Sequence, residues 1–104
     1  MSYEQAVNTI LPKKGVELST MMKTPCIRYR GEFVAMMFDK EDALIIKVSP
    51  ERVNELIEQG KGREFSFTKK RFKEWVLIDQ EFEDDYEARV IEALNYAKSR
   101  ISKV

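Results

Sequence analysis

The sequence predicts an α+β fold of two layers, with elements in the order α-β-β-β-α-β-β-α, a largely antiparallel five-stranded sheet and helices on one face. Three observations lead there. Three segments repeat apolar residues at helical spacing and carry capping residues at their starts. Five others are strand-sized and rich in β-branched and aromatic residues. The links between the first three strands are too short for a crossover, so those strands pair as hairpins.

The elements follow in order. Ser2 and Gln5 have capping-box spacing, and Tyr3, Ala6, Val7 and Ile10 then share one helical face until Pro12 and Gly15 stop it. Cys26 to Arg30 alternates, with Ile27 and Tyr29 on one side and Arg28 and Arg30 on the other. Gly31-Glu32 reads as a tight turn into Phe33 to Phe38, where Met36 and Met37 must point to opposite faces. A polar loop, Asp39 to Asp42, leads to a third strand, Ala43 to Val48. Ser49 is an N-cap and Pro50 occupies the first helical position, where its missing N–H costs nothing. Val53, Leu56 and Ile57 form that helix's apolar stripe, and Gly60 provides a left-handed stop. Glu64 to Thr68 alternates weakly, and Trp75 to Ile78 is a short strand. The last helix starts near Asp84 and Asp85, whose charges suit its N-terminal dipole, as Lys98, Arg100 and Lys103 suit its other end. Tyr86, Val90, Leu94, Ala97 and Ile101 step along its buried face.

Composition narrows the chemistry. The chain has 104 residues, and no repeat or linker divides it, so a single domain over 1–104 is expected. It lacks histidine, which removes the usual general base and the commonest zinc ligand. One cysteine allows no internal disulfide framework and no thiolate metal cage. Cys26 precedes two arginines that could lower its thiol pKa, but without histidine nothing orients it as a nucleophile, and a buried structural thiol is the commoner state. Gly60-Lys61-Gly62-Arg63 follows a helix and precedes a strand, so it lacks the helix N-terminus that a phosphate loop aims at its anion. Asp84-Asp85 reads as helix capping rather than a cation site. No catalytic residue, metal ligand or cofactor is therefore assigned. The polar start of the chain is no secretory signal, and no apolar run approaches the roughly 20 residues of a membrane span, so a cytoplasmic protein without a membrane is expected.

Read together, several strings are similar to the MmcQ/YjbR-like and TfoX N-terminal-domain-like family. They are Arg30-Gly31-Glu32-Phe33-Val34-Ala35, Leu44-Ile45-Ile46-Lys47-Val48, Ser49-Pro50-Glu51-Arg52, Gly60-Lys61-Gly62-Arg63-Glu64-Phe65 and Lys73-Glu74-Trp75-Val76. The resemblance covers nearly the whole chain. It implies a fold like that of small secretion chaperones, DNA binding as the function, and a lysine at position 47; it carries over no catalytic residue.

Charge is segregated along the chain. Residues 61–74 hold Lys61, Arg63, Lys69, Lys70, Arg71 and Lys73 against Glu64 and Glu74, whereas 79–87 hold Asp79, Glu81, Glu83, Asp84, Asp85 and Glu87 with no base. A basic strand flank can hold phosphates, and Phe65, Phe67, Phe72 and Trp75 interleave with it as stacking platforms or as core. The candidate nucleic-acid or anion-binding set is Arg28, Arg30, Lys47, Lys69, Lys70, Arg71 and Lys73. Balanced charge and a pI of about 6.3 set this apart from the usual basic footprint. A solvated edge facing the acidic stretch accounts for the same residues, and Lys47 reads equally as a stem covering apolar sheet. The expectation is a small non-enzymatic binding protein with weak DNA binding. The alternative is a protein-interaction adaptor or secretion-chaperone-like homodimer that matches basic to acidic patches across a two-fold axis, with Met21, Met22, Met36 and Met37 as an adaptable surface.

Overall fold

The computed structural model describes residues 3–21, 24–38, 42–67 and 70–101. The capping residue Ser2, Met22, the loop residues 39–41, Thr68, Lys69 and Lys103 fall outside them. The elements are α1 (Tyr3–Ile10), β1 (Val16–Met21), β2 (Thr24–Tyr29), β3 (Glu32–Phe38), β4 (Ala43–Lys47), α2 (Pro50–Glu58), β5 (Arg63–Phe67), β6 (Lys70–Asp79), a 3-10 helix Gln80–Asp85 and α3 (Tyr86–Ile101). All strand pairings are antiparallel, in the order β1-β2-β3-β4-β6-β5.

The α+β class and the one-sided helices follow the sequence, but the sheet has six strands rather than five. The added strand is β1, which lies at the sheet edge and pairs with β2. Its Leu18 is 65% exposed and Val16 only half-buried against the helix-side core, so β1 lacks the buried alternation that an apolar pattern reports. A second correction concerns the first hairpin. Tyr29 pairs with Glu32, so the turn is Arg30-Gly31, with φ of 47° and 90°. Positive φ at both central residues is what a two-residue primed turn requires. Arg30 therefore leaves the strand and no longer alternates with Arg28.

Two apolar clusters sandwich the sheet. The larger gathers Ala6, Val7 and Ile10 of α1, Val53 and Leu56 of α2, and Tyr86, Val90, Ala93, Leu94 and Ala97 of α3 against Ile27, Val34, Leu44, Ile46, Val76 and Ile78. The smaller holds Cys26, Phe33, Met36, Ala43, Ile45, Phe65 and Leu77, and among the described residues no helix contributes to it. A β-bulge explains how β3 serves both. Ile27 faces Ala35 while Arg28 faces Phe33, which leaves Val34 as the extra residue. The phase shift turns Phe33 and Met36 to the helix-free face, and Val34 and Met37 to the helix side.

Helix α2 is bounded as its residues require. The Ser49 hydroxyl accepts from the Arg52 N–H at 3.2 Å, and Pro50 occupies the first turn. At its end Gly60 has φ +74°, Lys61 N–H donates to Leu56 O and Gly60 N–H to Ile57 O, the double bond of a Schellman motif. Among the described residues, no helix is long and apolar enough to cross a membrane.

Candidate functional site

Register decides which charges meet. Arg28 faces Phe33, Ala35 faces Ile46 and Lys47 faces Trp75, so these residues lie toward one end of the sheet. At the other end Phe38 faces Ala43 and Ala43 faces Asp79. The first end is basic. The loop after α1 brings Lys13 and Lys14 there, because the Arg30 N–H donates to Gly15 O at 3.0 Å. The last turn of α3 brings Lys98 and Arg100. The Tyr29 ring has the Arg30 guanidinium 5.5 Å and the Lys98 ammonium 5.8 Å from its centroid.

Contacts at this end hold two carboxylates among the cations. Arg100 Nη1 lies 2.8 Å from Glu74 Oε2, and its Nε lies 3.7 Å from Glu32 Oε2. The Lys47 Nζ approaches the same Glu32 oxygen at 3.3 Å. The Tyr96 hydroxyl donates to Glu74 and accepts from Arg100 Nη1 at 3.1 Å. Burial, then this bond to Glu74, pushes the Tyr96 hydroxyl above its ordinary pKa. The bond from Arg100 to Tyr96, then the charge of Glu74, raises the guanidinium further, so it keeps its charge throughout the physiological range.

The sequence-derived candidates fall into three groups. Arg28, Arg30, Lys47 and Lys73 share the basic end. Arg28 Nη1 donates to Gly31 O at 3.1 Å, bracing the turn, while Arg30 and Lys73 are exposed. Lys47 is engaged by Glu32 and its side chain is only 18% exposed, so it serves this network as well as any ligand. Lys70 and Arg71 start β6, with backbone alone described, and Lys69 lies outside the described residues. Arg63 sits at the far end, where its guanidinium bonds both carboxylate oxygens of Asp79 at 2.6–3.0 Å. The basic and acidic stretches thus meet at Arg63 and Asp79.

The interleaved aromatics are core where they are described. Phe65 is 3% exposed, Phe33 stacks on Trp75 at 4.5 Å between centroids, and Trp75 leans on Phe65 at 5.4 Å. Met36 is sealed in the same cluster, which removes it as a docking surface. Cys26 is buried too; burial raises its thiol pKa, and Arg28 pulls the other way with a weaker effect.

Lys13, Lys14, Lys98 and Arg100 were not visible as members of this group. Lys98 and Arg100 announce themselves in sequence only as partners of the α3 dipole. Pro12 and Gly15, which end α1, mark the turn that carries Lys13 and Lys14, but only the β1–β2 register sets that turn beside Arg30. No protein-family model, curated protein or solved structure matches the chain.

Proposed function

We propose that the protein is a non-enzymatic binding protein whose basic sheet end takes up a polyanion, with DNA as the ligand class. One observation carries this reading. Lys13, Lys14, Arg28, Arg30, Lys47, Lys73, Lys98 and Arg100 gather at one end of a molecule of zero net charge, where they outnumber Glu17, Glu32, Glu51 and Glu74. Local excess rather than net charge is what a phosphate backbone senses within a Debye length of about 8 Å. With Phe65 buried and Trp75 packed against it, these two rings are not offered to bases, so contact is to phosphates and little base specificity is expected. The similarity of several strings to the MmcQ/YjbR-like family points the same way.

Titration of labelled duplex and single-stranded DNA across a salt series tests this. Affinity should fall steeply with salt. Arg30→Asn with Lys73→Gln should flatten the log–log slope by about 1–2 while weakening both DNA forms alike. Asn suits the left-handed conformation at position 30, so the hairpin is kept. Absence of binding at low salt would reject the reading. The alternative, an adaptor or homodimer, draws on exposed Leu18 on the unpaired edge of β1, and light scattering that finds a dimer lost on Leu18→Lys would favour it.

A further inference from the structure

The end of the sheet opposite the basic one carries two adjoining clefts. The larger, about 500 Å³, is walled by Tyr3, Glu4, Met37, Gln80, Glu83 and Tyr86. The smaller, about 290 Å³, shares Tyr3, Glu4 and Pro25 with it and continues along Val7, Leu11 and Leu18. The shared wall makes them one groove with two chemistries. One half is aromatic and acidic; the other is aliphatic and leads to the only large apolar side chain exposed among the described residues, Leu18. Volumes of a few hundred Å³ suit a small organic ligand.

From this arrangement we infer that the groove binds a small amphiphilic organic cation, its ammonium group held by Glu4 and Glu83 and its apolar chain laid toward Val7, Leu11 and Leu18. Charge complementarity selects that class. Glu4 and Glu83 form no ion pair among the described residues, and the neighbouring Asp42, Glu81, Asp84 and Asp85 add negative charge at this end. An anion or a neutral lipid gains nothing from such a field. The faces of Tyr3 and Met37 are polarisable walls of the kind that receive an alkylammonium group. Tyr86 reports the same field: its hydroxyl is pushed up to about 12, by burial first and then by Glu83, Asp79 and Asp42. The apolar tail covers Leu18, the large apolar side chain of the groove that is most open to water. This site lies at the end of the sheet away from the proposed DNA surface, so each can fail without the other.

The test is an NMR titration of the ¹⁵N-labelled full chain with hexylamine, beside hexan-1-ol and hexanoate at matched ionic strength. Hexylamine should give saturable shifts at residues lining the groove, including Tyr3, Glu4, Leu18 and Gln80. Hexanol should bind there at least about threefold more weakly and hexanoate not at all. Glu4→Gln with Glu83→Gln should weaken hexylamine by about three- to tenfold, the range for losing two partly exposed ion pairs. Both positions are exposed or half-exposed, and unchanged resonances elsewhere verify the fold. Leu18→Ser should weaken hexylamine but leave methylamine unaffected, which separates tail from head. Equal binding of amine and alcohol, shifts away from the groove, or an unaffected Glu4/Glu83 double variant overturns the inference. So does binding of an oligolysine peptide without hexylamine.

Discussion

Tyr86 shows how one side chain joins core and pH response. It is 1% exposed where α3 begins, and its hydroxyl donates to Ile78 O at 3.1 Å, so a polar atom enters the helix-side core with its bond satisfied. Ionising it there leaves a charge in an apolar site beside carboxylates, and its pKa rises from 10 to about 12. Between those values the folded chain binds more protons than the unfolded one, so stability falls as pH rises through that window. Tyr3, pushed up to about 12 chiefly by burial, acts in the same direction. Tyr86→Phe should cost about 1 kcal/mol at pH 7, the worth of the lost hydrogen bond. The deficit should shrink and then reverse toward pH 12, because the variant escapes an ionisation cost on the order of 2 kcal/mol. Urea unfolding at pH 7 and at pH 11.5 measures both; a deficit that stays constant contradicts the linkage.

At the scale of elements, the join between α2 and β5 leaves no room for a side chain at Gly62. A Cβ on Gly62 would stand 2.6 Å from Val76 Cγ2 and 3.2 Å from Leu56 Cβ, and both side chains are sealed in the core. Neither can swing away, so the helix and strand must part. Gly62→Ala should destabilise by about 1–3 kcal/mol, the usual range for overpacking, and lower the urea midpoint without changing the slope. A neutral result would mean that the join is looser than this packing. The helices were legible because each carries a periodic apolar stripe, and α2 also has its caps in Ser49, Pro50 and Gly60. Asp84 and Asp85, read as the start of the last helix, instead lie in the 3-10 helix before α3. The strands were legible in proportion to burial. Ala43 to Lys47, buried at four of five positions, stood out. Val16 to Met21 did not, and neither did the polar start of β6, Lys70 to Glu74, which pairing with β5 draws into the sheet.

Over the whole molecule, zero net charge conceals a polar object with cations at one end of the strands and carboxylates at the other. The two ends are separated by a core whose centre is β3, β4 and β6, flanked on both faces. Amide hydrogen exchange should therefore be slowest in those three strands and in the buried face of α3, and fastest among the strands in β1, whose outer edge pairs with no described strand. Exchange in β1 as slow as in β4 would show that something covers that edge in solution, and would favour self-association over DNA binding.

Local chemistry set the class of fold, the three helices, their stops and the buried strands, because caps, glycines and apolar periods act within a few residues of one another. Arg30 illustrates the limit. Sequence marks it as basic and near a turn, but its place between Lys13, Lys14 and Lys98 depends on pairings with residues far along the chain. The same holds for the groove, whose carboxylates Glu4 and Glu83 come from opposite ends of the chain. Only tertiary structure could gather such groups, since charges carry no periodic signal and meet only when strand register and helix docking bring distant segments side by side.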